Sequence, residues 1–306
     1  KILVNYFLSP FQSEEYYNLY HESDINLNEV FVYASRIFDK PETLHKESVN
    51  LAKHLYEQSA HPKIKPGEFC TVYFKNCIFN GETLDAIGLF KSENKHTFLK
   101  VLRTDNDFSI IPDFGINVEK LDKACLIYNT QKQQGFVVSV LDNTNKSTDA
   151  QYWFDNFLHV KSRNDEYFNT RSLLNMCKTF VTEQLPKQFE TTKADQVDLL
   201  NKSVKFFKEN ENFSLGKFAN EVMEQPEIIS SFNKFKSDYQ NNYQVEIADE
   251  FQISGQAVKK QARVFKSIIK LDKNFHIYIH GNRNMIEQGV DENGRKYYKI
   301  YYREES

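Results

Sequence analysis

Between Glu68 and Asn143 the apolar residues recur with a period of two, whereas the stretches on either side recur at helical spacing. Such a chain has to build a sheet from its middle and helices from its flanks. Phe69 to Phe79 is rich in Val, Tyr and Phe and ends at Asn80-Gly81, a dipeptide that favours a two-residue hairpin turn. Thr83 to Lys91 is the expected return strand, and Ser92-Glu93-Asn94-Lys95 the next polar turn. Thr97 to Arg103, Phe108 to Pro112, Lys123 to Asn129 and Gly135 to Asp142 supply further short strands. Short turns between successive strands imply an antiparallel meander. Cys70 and Cys77 are an odd number of residues apart, so an unbulged strand sends them to opposite faces, where they cannot share a metal.

Ahead of the sheet, Val30, Phe31, Ala34 and Phe38 mark one helix, and Leu44, Leu51, Ala52 and Leu55 mark a second that starts near Asp39 and Pro41. The segment from His61 to Gly67, with two prolines, is a linker. Asn164 to Tyr239 reads as helical again. Pro186 is expected to stop one helix, Ser214 to cap another, and Pro226 to open the helix that carries Ile228, Ile229, Phe232 and Phe235. Tyr243 to Tyr302 mixes a short helix with strands. The expected fold class is α+β: an antiparallel meander sheet with flanking helices, then a helical segment and a small C-terminal helix-plus-β lobe. The expected division is 1–160 and 161–306. The chain starts at Lys1 without methionine, so the first lobe is expected to be truncated upstream.

Chemistry-bearing motifs are scarce. No dinucleotide fingerprint, phosphate-binding loop, nucleophile elbow or zinc-protease helix occurs. Pro112-Asp113 followed by Glu119-Lys120 is a faint echo of a metal-dependent nuclease core, but adjacent Glu and Lys point to opposite faces of a strand. His45, His54 and His61 read as solvated residues on a helix face. No apolar run is long enough for a membrane span. Four cysteines without a paired motif suit a reducing compartment. No catalytic residue, metal or cofactor is expected.

Charge is more informative. The whole chain carries a net −3, yet residues 251–306 hold seven Lys and four Arg against six acids, leaving the preceding 250 residues acidic. The excess gathers in Lys259, Lys260, Arg263, Lys266, Lys270 and Lys273, with Arg283, Lys299 and Arg303 beyond. Such a patch on an acidic protein suits phosphate contact, and equally suits an ordinary solvated face. Ser254 is a suitable N-cap for a basic helix from Gly255 to about Val264. Ile247 to Val258 matches several apolar positions of a helix-turn-helix, although Phe251-Gln252-Ile253 reads equally well as a strand. Further on, Phe275, Ile277 and Ile279 share a core-like face opposite His276, Tyr278 and His280. Tyr298, Ile300 and Tyr302 likewise oppose Tyr297, Lys299, Tyr301 and Arg303. Tyrosines interleaved with cations suit base stacking, or simply satisfy β-propensity.

The run from Ala257 to Lys266, continued from Lys270 through His280 to Arg283, resembles the NdpA-like family of bacterial nucleoid-associated proteins, in its Bacteroidetes-type branch. Gly289-Val290-Asp291-Glu292, Tyr297 to Tyr302, Asn26 to Phe31, Ala52 to Tyr56, Ile87 to Lys95 and Leu141 to Asn145 resemble it too, so the likeness covers nearly the whole chain. The resemblance implies a cytoplasmic, nucleoid-associated protein without an assigned enzymatic activity, and it supplies no catalytic residues. It points to weakly sequence-specific contact with DNA through the basic C-terminal residues. The rival expectation is a non-enzymatic adaptor at the nucleoid that docks a protein partner on its tyrosine-rich strand face. An oligomer is compatible with either.

Overall fold

The computed structural model describes residues 2–12, 14–62, 64–104, 107–144, 152–243, 245–262, 265, 268–272, 274–278 and 285–304. The chain divides into two compact units, Lys1–Arg163 and Asn164–Ser306.

The first unit runs α1 (Ile2–Leu8), β1 (Tyr17–Leu19), α2 (Glu29–Asp39), α3 (Leu44–Gln58), β2 (Glu68–Phe79), β3 (Glu82–Ser92), β4 (Lys95–Thr104), β5 (Asp107–Ile116), β6 (Lys123–Tyr128), β7 (Val137–Asp142) and β8 (Val160–Ser162). Six strands form one antiparallel sheet in the order β2-β3-β6-β7-β1-β8. Asn80 and Gly81 both take positive φ, 48° and 83°, as a turn that follows the strand twist requires. Successive residues of β3 and β6 point to opposite faces, and both faces are covered. Ile87, Leu89, Cys125 and Ile127 pack on α2, α3 and the π-turn Trp153–Leu158. Phe90, Ala124 and Leu126 pack on Tyr6 and Phe7 of α1. That explains why these two strands are apolar almost throughout. The side chain of Asn28 caps α2 by accepting from the Phe31 amide.

The sheet is a broken meander. β4 and β5 pair with each other and leave the sheet, so β6 takes the place beside β3. Asp122 explains the return. Its carboxylate accepts from the backbone amides of Glu93 and Asn94 at 2.7 and 2.8 Å and from the Asn94 side chain at 2.8 Å. The point where the chain leaves and the point where it re-enters are thereby tied together.

β2 is bulged. Lys75 and Asn76 stand opposite Asp85 alone, so Cys70 and Cys77, which pair with Phe90 and Leu84, fall on the same face, contrary to the expectation for a regular strand. Asp85 holds the bulge by accepting from the Asn76 amide at 3.0 Å and the Tyr73 hydroxyl at 2.6 Å. His54 also departs from expectation. It is buried, with Nε2 3.0 Å from the Phe157 carbonyl, because α3 lies against the Trp153–Leu158 turn.

The second unit comprises α4 (Glu166–Thr179), α5 (Leu185–Gln188), α6 (Lys193–Glu209), β9 (Asn212–Ser214), α7 (Leu215–Phe218), α8 (Pro226–Tyr243), β10 (Glu250–Gln252), α9 (Gly255–Ala262), β11 (Ile268–Leu271), β12 (Phe275–Tyr278), β13 (Ile286–Val290) and β14 (Lys296–Ile300). Its core is aromatic. Phe207 stacks on Phe213 with ring centroids 5.4 Å apart, and Phe218 meets Phe206 edge-on at 5.2 Å. Pro186 does not stop a helix. It lies in the first turn of α5, where a missing N–H costs nothing, and a π-turn over Phe180–Gln184 joins α4 to it. Glu250 to Gln252 pairs antiparallel with β9, so the strand reading holds and the helix-turn-helix lacks its first helix. Among the described residues no helix is long and apolar enough to cross a membrane.

Two outcomes follow. Asp122→Ala leaves two backbone donors at the β3–β4 turn without their carboxylate, and is expected to lower the unfolding free energy by about 2–4 kcal/mol in denaturant titration, with Asp122→Asn costing less. For Tyr73, burial first and then the bond to Asp85 push the phenol up from 10.0 to about 12. A raised pKa stabilises the fold fully below the ordinary value, and the stabilisation is lost as pH rises through about 12. The difference in phenolate absorbance between the parent chain and Tyr73→Phe should therefore titrate near 12, and a midpoint at the ordinary tyrosine value would refute the assignment.

Candidate nucleic-acid interface

Three elements of the second unit each use one face for packing and present the other to solvent. α9 begins at Ser254, whose hydroxyl accepts from the Ala257 amide at 3.3 Å and whose own amide donates to Thr170 at 3.0 Å. Ala257, Val258 and Gln261 are buried against α4 and α6. Helical periodicity then sends Lys259 and Lys260 outward, both exposed, in the last turn, where cations complement the helix dipole. The Lys260 ammonium lies 5.8 Å from the centre of the Tyr167 ring.

The two C-terminal hairpins follow the same plan. Ile269, Ile286, Leu271, Ile277 and Tyr298 pack with Ala194 and Val197 of α6. Pleating puts Lys270 of β11 on the opposite face, directly across from His276 of β12, with Tyr278 beside them and 62% exposed. On the second hairpin the outer face carries Tyr297, Lys299 and Glu287. Tyr297 lies across from Gly289, and a side chain at Gly289 would strike the Tyr297 ring at 2.4 Å. The Lys299 ammonium is 5.0 Å from the centre of the Tyr301 ring and 4.0 Å from the Glu287 carboxylate. Its pKa is raised, first by the hydrogen bond to the Tyr301 hydroxyl and then by the charges of Tyr301 and Glu287. Cations and flat rings thus alternate on exposed strand faces, an arrangement able to neutralise phosphates and to stack bases.

Of the nine basic residues picked out from the sequence, Lys259, Lys260, Lys270, Lys299 and Arg303 are exposed. Arg263, Lys266, Lys273 and Arg283 lie outside the described residues, as do Ile279 and His280. The core-like faces are shorter than expected. Phe275 is 65% exposed, and Ile300 and Tyr302 are 49% and 69% exposed, although Leu271 and Ile286, the cross-strand partners of Phe275 and Ile300, pack with α6 residues. Reading the sequence also passed over Arg295 and Lys296, exposed at the β13–β14 turn. Their signal was the turn Asp291-Glu292-Asn293-Gly294, with Gly294 at φ 77°, which places its flanks at a hairpin tip.

Other surfaces suit phosphate less well. An open groove of about 730 Å³ along β9 and β10 is lined by Glu209, Glu211 and Glu250, with Lys217 the cation among its lining residues. The faint nuclease pattern dissolves. Asp113 is paired with Lys100 at 2.8 Å, a bond that is the first cause of its lowered pKa, and Glu119 and Lys120 lie beyond the strand.

A family model described as nucleoid-associated protein YejK matches residues 1–295. No curated protein and no solved structure matches the chain.

Proposed function

Because the chain belongs to the family of nucleoid-associated protein YejK, we propose that it contacts nucleoid DNA directly, through the outward faces of α9 and the two C-terminal hairpins. The family's description supports a role at the nucleoid, and with it a cytoplasmic setting. The observation that carries the reading is the sorting of side chains on these three elements. Apolar residues pack on α4 and α6, while Lys259, Lys260, Lys270, Lys299 and Arg303 are exposed, as are Tyr278, Tyr297 and Tyr301 of the hairpins. Arg263, Lys266, Lys273 and Arg283 belong to the same patch by sequence.

Lysines dominate the set, and lysine is a point charge on a flexible stem that follows the backbone rather than reading base edges. Sequence preference is therefore weak. No catalytic role is assigned to any residue. The exposed tyrosines also support a second reading, an adaptor that anchors a protein partner on the same strand face.

Binding of the purified chain to a short labelled duplex, repeated from about 50 to 200 mM salt, tests the proposal. Six or more phosphate contacts should weaken binding by about 10³-fold or more over that range. Lys260→Glu with Arg263→Glu is expected to abolish DNA retention at the upper salt concentration. No binding at the lowest salt would overturn direct contact. Loss of DNA with a protein partner still captured would separate the two roles.

A further inference from the structure

The ribbon formed by β4 and β5 is built unlike the rest of the chain. Ten residues of each strand pair in unbroken antiparallel register, from Lys95 with Ile116 to Thr104 with Asp107. Among the described residues, the two strands pack on each other and make no more than passing contact with any other element. Alternation gives the ribbon two different faces. One holds the Lys100–Asp113 ion pair with His96 and Ser109, and also Phe98, Leu102 and Ile111 at 45%, 43% and 40% exposure. The other holds Leu99, Val101, Phe108, Ile110 and Phe114, each between 63% and 69% exposed, with Pro112 among them.

A two-stranded hairpin is marginal in water unless a face is covered. Here the face that needs cover is apolar through its middle, with Lys95 and Arg103 at opposite ends of β4 as its formal charges. Phosphate has nothing to meet along that middle. With about 150–250 Å² for each large side chain, the five residues expose on the order of 600 Å². That reaches the upper end of what monomers leave bare, about 300–600 Å². With its rim the face approaches the ~800 Å² that each partner contributes to a standard interface.

We propose that this face is a self-association surface, covered by the same face of a second copy of the chain. The fit of area favours a second copy, and so does shape. A ribbon in unbroken register with an almost uncharged centre is complementary to itself under a two-fold axis. Two such ribbons stacked about 10 Å apart make a small four-stranded sandwich whose interior is supplied equally by both copies. Leu99 and Pro112, the middle of the five cross-strand pairs on the face, lie nearest the axis, with Val101 and Ile110 the adjacent pair.

The test uses the full chain in sedimentation equilibrium over roughly 1–100 µM, a range in which a standard interface is populated. The parent chain is expected at twice the chain mass. Val101→Lys with Ile110→Lys should weaken association by at least about 100-fold, since both changes put a charge into the buried apolar face. Both residues are exposed in the single chain, so circular dichroism should show an unchanged fold. Independently, Val101→Cys in a Cys70→Ser background should form a covalent dimer with a short bismaleimide, and Lys100→Cys, on the other face, should not. A parent chain that stays at monomer mass, a double variant that associates as tightly as the parent, or equal cross-linking from positions 100 and 101 would each overturn the proposal.

Discussion

In the antiparallel register of the first unit, Lys91 of β3 stands directly opposite Lys123 of β6, and Lys123 directly opposite Asp142 of β7. Both lysines are buried, Lys123 completely. Two like charges facing each other across a sheet are destabilising, and burial multiplies the cost. Glu93 resolves the conflict. One of its carboxylate oxygens lies 2.9 Å from the Lys91 ammonium and 3.9 Å from that of Lys123, while Asp142 takes Lys123 at 2.7 Å. Tyr152 closes the group. Its hydroxyl donates to Glu93 at 2.9 Å and accepts from Lys91 at 2.7 Å, and its ring lies just over 5 Å from both ammonium groups. Burial and the neighbouring Glu93 charge push the Tyr152 phenol far up, so it stays a donor. Taking away any one partner would strand a buried charge, at a cost of about 3–5 kcal/mol.

This cluster does more than tolerate its charges. Lys91 and Glu93 end one strand of the sheet, Asp122 and Lys123 begin the next, and Asp142 ends the third. A slip of one residue at either pairing would turn a lysine to the other face and leave the carboxylates alone, so the ionic group fixes register where apolar packing by itself is permissive. It also lies at the root of the β4–β5 ribbon. Asp122 binds the amides of the outgoing turn while the adjacent Lys123 binds Asp142 and Glu93. The ribbon can therefore leave the sheet without disturbing the pairing of β3 with β6.

The motifs that carry the family resemblance in this region, Ile87 to Lys95 and Leu141 to Asn145, supply Lys91, Glu93, Asn94 and Asp142 to this group. Their message was legible only as likeness, since no local rule says that a lysine at the end of an apolar strand will be buried beside another. What the local rules do describe, they describe well. Asn80-Gly81 names its own turn, and the period of two locates β2, β3, β6 and β7. Three of the departures share a cause. The bulge at Lys75 and Asn76 depends on Asp85 reaching across from the next strand, the burial of His54 on a carbonyl 103 residues away, and the departure of β4 and β5 on Asp122. Each is decided by a side-chain contact made from another element, and the periodicity of a single segment carries no information about it. The basic patch was legible because charge counts add without regard to contacts. Strand alternation already set Lys299 and Arg303 opposite Tyr298 and Ile300, whereas the element that packs on the inner face, α6, carries no signal in the hairpins themselves.

The β4–β5 ribbon and the C-terminal hairpins use the same local geometry to opposite ends. In β11–β12 and β13–β14 one face rests on α6, so apolar residues are spent there and the outer face is free to carry Lys270, His276, Tyr297 and Lys299. Among the described residues no helix makes more than passing contact with β4–β5, and if solvent were its permanent surroundings, selection for solubility would favour charge on both faces. Instead Leu99, Val101, Phe108, Ile110 and Phe114 fill one face at 63–69% exposure, while the ion pair shares the other with the less exposed Phe98, Leu102 and Ile111. The hydrophobic cost of leaving that face wet, about 25 cal/mol for each Å², is on the order of 15 kcal/mol, comparable to the whole stability of a domain. A chain that sorts its side chains so strictly elsewhere has the same reason to sort them here, and an apolar face without an internal partner is sorted toward another protein surface rather than toward the phosphates that the basic hairpins suit.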